Sequence, residues 1–163
     1  DKGARISYFA VTNAWNDVGI GITSSQFDNS RAGTYVFNAS NLSWVKPWDN
    51  QWNYFPDPGL FYPPIENVLV LRDSFNSFSS VGSLMKFQFL YPPTKLLEIG
   101  FLNVVADVVV TTVGFDGKFS EFSLDAIGNN TLGSVQVDKH NVEKVNVFFK
   151  GRSAVTYIAY CIG

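Results

Sequence analysis

The stretch DVVVTTVGFDGKFSEFSL, residues 107–124, reads as two strands around a tight turn. β-Branched residues fill its first half, and Phe119, Phe122 and Leu124 are interspersed with polar residues in its second. Period-two alternation of such residues is the strand signature. Between the halves sits Asp116-Gly117, a pair suited to the positive backbone angles of a two-residue hairpin turn. Working outward, the same pattern predicts strands over 4–11, 18–23, 34–37, 67–72, 85–91, 96–101, 134–137, 142–149 and 155–161. Gly128-Asn129-Asn130 and Lys150-Gly151-Arg152 are further turn clusters. No stretch carries the 3.6-residue periodicity of a long amphipathic helix. About ten to twelve short strands with this spacing predict an all-β, two-sheet β-sandwich of jelly-roll type, as one domain over residues 1–163.

One region breaks the pattern. Residues 38–66 hold Pro47, Pro56, Pro58, Pro63 and Pro64 together with Trp44, Trp48 and Trp52. Proline fixes φ and removes a backbone donor, so this stretch is a long irregular loop and not a central strand. Loops of this length in small domains are usually functional or packed on something.

Composition narrows the function. Charged residues are 16% of the chain, below the roughly 25% of ordinary soluble domains. Aromatic residues are also 16%, with 15 Phe, 7 Tyr and 4 Trp, and the net charge is -2. Basic residues are scattered, so nucleic acid is not an expected partner. No apolar run is long enough to span a membrane as a helix. A surplus of large apolar side chains with few charges fits a large core, or an outer surface partly covered by neighbouring subunits. The chain opens on Asp1-Lys2-Gly3 and reads as strand by Ile6, the pattern of a processed, mature terminus. Three N-glycosylation tripeptides begin at Asn38, Asn41 and Asn129, which points to a secreted protein. The single Cys161 has no internal partner. It is either a buried thiol of the last strand or a bond to another chain.

Residues 56–161 carry a resemblance. Pro56-Asp57-Pro58-Gly59-Leu60 followed by Asn67-Val68-Leu69-Val70-Leu71 is one motif, and Leu96-Leu97-Glu98-Ile99-Gly100-Phe101-Leu102 is a second. Gly128-Asn129-Asn130-Thr131-Leu132 is a third, and residues 142–156 with Cys161 beyond them form the fourth. In their order these motifs resemble a jelly-roll domain of secreted bacterial and algal surface proteins that often carry variable C-terminal anchors. The resemblance implies a jelly-roll sandwich, an extracellular or cell-surface setting, and a closing hairpin ending in Cys. It implies no reaction. The sequence departs from the family at acidic positions: Asn129 stands where Asp is usual, and the segment after Arg72 is rich in Ser and Phe. A calcium site of relatives is therefore in doubt here. Relatives also place charges at the positions of Tyr157 and Ala159.

Strict alternation along 155–161 puts Val155, Tyr157, Ala159 and Cys161 on one face and Thr156, Ile158 and Tyr160 on the other. Both faces are apolar, as in a strand covered on both sides. The cover is either the long loop or a neighbouring subunit. Val155, Tyr157 and Ala159, with Ile6 and Tyr8 of the first predicted strand, are thus candidates for self-association, including strand exchange at an open sheet edge.

Catalytic chemistry finds little support. His140, alone in its type, lies in the Asp138-Lys139-His140-Asn141 turn and is expected to be solvated. No His/Cys/Asp group has metal-ligand spacing. Asp49 and Asp57 flank the aromatic loop but read as loop carboxylates and not as a hydrolytic pair. No cofactor, metal or enzymatic activity is expected. The aromatic loop is the candidate glycan site: Trp44, Trp48, Trp52 and Tyr54 offer flat rings, with Asp49, Asn50, Gln51 and Asn53 between them for sugar hydroxyls. The same rings could instead pack down as a lid. The expectation is a non-enzymatic extracellular structural protein that self-associates into a filament or layer, with a carbohydrate-binding adhesive module as the alternative.

Overall fold

The computed structural model describes residues 20–26, 33–38, 67–72, 82–91 and 94–162. Ten strands occur among them: β1 (Ile20–Gln26), β2 (Gly33–Asn38), β3 (Asn67–Arg72), β4 (Ser83–Phe89), β5 (Thr94–Leu102), β6 (Val108–Gly114), β7 (Phe119–Leu124), β8 (Leu132–Lys139), β9 (Val142–Phe149) and β10 (Ala154–Ile162). Each strand predicted from residue 18 onward is present, with ends shifted by a few residues. The predicted strand at 4–11 lies outside the described residues, as does 39–66 of the long loop.

The strands form two antiparallel sheets, in the orders β1-β4-β9-β6-β7 and β2-β3-β10-β5-β8. β3 pairs with β10, β4 with β9, β5 with β8 and β6 with β7. The chain from β3 to β10 is therefore one long hairpin, wrapped so that successive strands fall in opposite sheets except β6 and β7 at its tip. That is the jelly-roll topology. β1 and β2 extend one edge of each sheet.

The tip of the long hairpin is the Asp116-Gly117 turn. Gly117 takes a positive φ of 76°, and the Gly114 and Lys118 backbones bond across the turn at 2.8 Å. Asp116 accepts the Lys118 N–H at 3.1 Å, and its carboxylate also meets the Lys118 ammonium at 2.9 Å. The β9–β10 turn is a different object. Its strands belong to opposite sheets, so the closing hairpin implied by the resemblance is corrected to an arch between layers. The Gly128-Asn129-Asn130 turn between β7 and β8 is an arch of the same kind.

The inner faces meet in one core that includes Met85, Phe87, Leu96, Ile99, Phe101, Val145, Val147 and Phe149. Burying side chains of this size contributes about 1.5–3 kcal/mol each. Phe101 and Phe149 meet edge to face across the layers at 6.5 Å between centroids.

Candidate functional site

Among the described residues, the two ends of the sandwich differ in chemistry. One end holds the β5–β6, β7–β8 and β9–β10 connections, and polar bonds stitch them together. Asp107 accepts the Ala126 N–H at 3.3 Å and binds the Lys150 ammonium at 3.1 Å. Ile127 and Gly128 donate to the Val104 carbonyl, and Asn103 donates to Thr131. The Asn103 side chain also accepts the Asn130 N–H. Asn103 and Asn130 sit at positive φ, a conformation Asn tolerates better than other residues with a Cβ. These bonds hold Asp107 ionised below the usual carboxylate range, chiefly through Lys150.

The opposite end holds the β4–β5, β6–β7 and β8–β9 connections, the start of β1 and the finish of β10. The register shows this: Ile20 pairs with Phe89, Ile162 with Thr94, and Gly114 with Val142. Six large apolar side chains are exposed among the described residues, and five lie here: Leu90, Tyr91, Phe115, Phe119 and Ile162. Phe119, the most open at 62% exposure, starts the edge strand β7. The turns that carry these residues are braced. Phe115 N–H donates to the Asn141 carbonyl at 3.0 Å, and Thr94 Oγ1 donates to the Tyr91 carbonyl at 2.8 Å. Two lysines at this end are neutralised locally, Lys95 by Asp138 at 2.7 Å and Lys118 by Asp116. His140 is exposed in its turn. Cys161 is exposed too, which overturns the buried-thiol reading.

The sixth exposed residue, Tyr157, lies on the outer face of the second sheet. Two irregularities flank its position. Pairing of β10 with β5 slips between Val155 and Tyr157 and again between Ala159 and Tyr160, leaving Thr156 and Leu97 as extra residues. Such a bulge reverses the alternation beyond it. Val155 consequently faces the core at 1% exposure, apart from Tyr157. The expectation that Val155 shares a surface with Tyr157 and Ala159 is corrected, and Val155 leaves the set of self-association candidates. Ile158 and Tyr160 point inward, where Tyr160 meets Phe89 at 5.1 Å between ring centroids.

Tyr157 stands opposite Gly100, and its ring lies where a Cβ on Gly100 would be. Its hydroxyl donates to Glu98 at 2.8 Å. Ser134 and Gln136 of β8 also bond the Glu98 carboxylate, and Ser134, then Tyr157, hold its pKa below the ordinary value. Burial, followed by the bond to Glu98, raises the Tyr157 pKa. The outer face is thus not uniformly apolar: beside Tyr157 and Ala159 it carries a carboxylate, a hydroxyl and an amide.

No protein family matches the chain, and no curated protein does. Among solved structures it is similar to the crystal structure of the enzymatically active domain of tailspike protein 4 of bacteriophage CBA120. The TM-score is 0.41 at 11% identity, over 87% of this chain and 19% of that one. A likeness of this extent carries nothing about activity.

Of the other predicted site residues, Trp44, Trp48, Trp52, Tyr54, Ile6, Tyr8 and Asn41 lie outside the described residues. Asn38 closes β2 opposite Asn67. Asn129 is exposed in the β7–β8 turn, while the hydroxyl of its tripeptide, Thr131 Oγ1, donates to the Gly128 carbonyl at 2.7 Å. No group of three metal-ligating side chains occurs among the described residues, and no helix there is long and apolar enough to cross a membrane. The apolar end and the Glu98 cluster escaped the sequence reading. A visible signal for the first was Phe115 and Phe119 flanking a turn, where solvated residues are the norm.

Proposed function

We propose that the chain is a non-enzymatic structural module of an extracellular assembly, and that copies associate through the apolar end. The observation that carries this reading is that, among the described residues, Leu90, Tyr91, Phe115, Phe119 and Ile162 lie at one end, while polar bonds join the described connections of the other. Single exposed apolar side chains need no explanation, but five toward one end of a sandwich suit a contact surface. Three features suit this cluster to contact. The turns are braced, so little ordering is lost on association. Lys95 and Lys118 are paired with aspartates, so like-charge repulsion between copies is reduced. Residues 1–19 join the fold at this same end through Ile20, which would allow strand exchange by the segment holding Ile6 and Tyr8. The extracellular setting rests on the sequence resemblance and the glycosylation tripeptides.

Light scattering over a concentration series tests the proposal. Reversible association should appear, and Phe119→Ser combined with Tyr91→Ser should lower the association constant about tenfold or more, as loss of central aromatic contacts does. A wild-type chain that stays monomeric at the highest soluble concentration refutes it.

A further inference from the structure

The outer face of the β3-β10-β5-β8 layer contains a second surface, away from the apolar end. Its centre is the Tyr157 ring, 47% exposed and fixed at both extremities. The ring body rests across Gly100, and the hydroxyl is held by Glu98. Thr156 is the cause, since its bulge sets Tyr157 opposite Gly100, and the regular pairing that follows sets Ala159 opposite Glu98 on the same face. A ring held this way is a flat apolar platform whose rotamer entropy is already lost in the free protein.

The platform has a polar border on one side. Glu98 is paired in register with Gln136 and Ala159, and Ser134 with Gly100. A carboxylate offers about four lone-pair positions. Tyr157 occupies one of them, with Ser134 and Gln136 alongside on β8, so acceptor capacity remains. The Gln136 side chain, exposed on edge strand β8, adds an amide carbonyl beside it. Small Ala159 leaves room next to Glu98. An exposed aromatic face bordered by acceptors matches a pyranose ring, which presents C–H groups on one face and hydroxyl donors at its rim.

We propose that Tyr157, Glu98 and Gln136 form a docking position for a neutral hexopyranose unit of a glycan. The ionised Glu98 repels uronic and sialic acids, so the sugar class is neutral. The site is distinct from the Trp44–Tyr54 loop and does not depend on association through the apolar end.

The test is titration of the full chain with cellohexaose, mannohexaose and a galacturonic acid hexamer, followed by isothermal calorimetry. At least one neutral hexamer should bind saturably. Tyr157→Ala should weaken it tenfold or more. Because Tyr157→Ala also uncovers Gly100, Gln136→Ala serves as the second variant: it removes an exposed side chain and its bond to Glu98, leaves the Tyr157 ring on Gly100, and should weaken binding several-fold. Trp48→Ala with Trp52→Ala, in the aromatic loop, tests the rival glycan site. The proposal is overturned if neither neutral hexamer binds, if the galacturonate hexamer binds best, or if the Trp variants abolish binding while Tyr157→Ala and Gln136→Ala retain it.

Discussion

The packing of Tyr157 on Gly100 can be tested by a change of sign. A Cβ added at Gly100 would overlap the Tyr157 ring and come within 2.5 Å of Thr156 Oγ1. Real Cβ atoms do not sit so close, so Gly100→Ala must push the ring off the sheet. Overpacking of this kind costs about 1–3 kcal/mol. Against it stands the general gain of Ala over Gly within a strand, about 0.5–1 kcal/mol from reduced freedom of the unfolded chain. The net expectation is destabilisation by about 1–2 kcal/mol. In a Tyr157→Ala background the ring is gone, and Thr156 can turn its small hydroxyl aside. There Gly100→Ala should stabilise by about 0.5–1 kcal/mol. The four chains of this cycle can be compared by urea unfolding, read by tryptophan fluorescence, with constant m-values as the check on two-state behaviour. The coupling should reach about 1.5–3 kcal/mol, well outside the few tenths expected of independent sites. Equal effects of Gly100→Ala in both backgrounds would refute the placement of the ring, and with it the platform on which the sugar site rests.

Two further predictions concern the frame. Phe149→Ala removes a fully buried ring that meets Phe101 across the layers, and it should cost about 3–5 kcal/mol in urea unfolding; a cost near that of a surface change would mean that the two sheets do not share this core. Acid should destabilise the fold through carboxylates whose native pKa values are depressed: Glu98 by Ser134 and Tyr157, Asp107 by Lys150 and the Ala126 N–H, and Asp138 by Lys95. Their contribution is present above the unfolded-state values, near pH 4, and is lost as pH falls through the lower folded-state values. The Tm by circular dichroism should therefore be flat from about pH 7 to 5 and fall below about pH 4, less steeply in Asp107→Asn; a Tm that rises on acidification contradicts the assignments.

The strands were legible because alternation is a local property. Val108 to Val113 and Phe119 to Leu124 announce a hairpin through their own side chains and the turn between them. What alternation does not encode is the partner. Lys150-Gly151-Arg152 reads as a turn, and it is one, but its chemistry is the same whether the flanking strands pair or separate into opposite sheets. The bulges were hidden for a related reason. Thr156 and Leu97 are ordinary strand residues, and they become extra only when β10 and β5 are laid side by side. That non-local event moved Val155 inward and left Tyr157 outward. It also created the cluster with Glu98, whose members lie on three strands and share no sequence motif.

The wrapped hairpin explains why the two proposed surfaces can act independently. Its tip, with Phe115 and Phe119, belongs to the apolar end, together with the finish of β10 at Ile162. Tyr157 lies mid-way along β10 on the sheet face, five residues before that finish. A copy docked against the end covers the turns and leaves the face open, so an assembly joined end to end would still present one Tyr157 platform per module. Association and sugar binding should then separate under mutation. Phe119→Ser with Tyr91→Ser should dissolve the assembly and keep hexose affinity per chain, and Tyr157→Ala should do the reverse. If instead each change removed both properties, the sugar would be held between copies, and the face and the end would have to be parts of one contact.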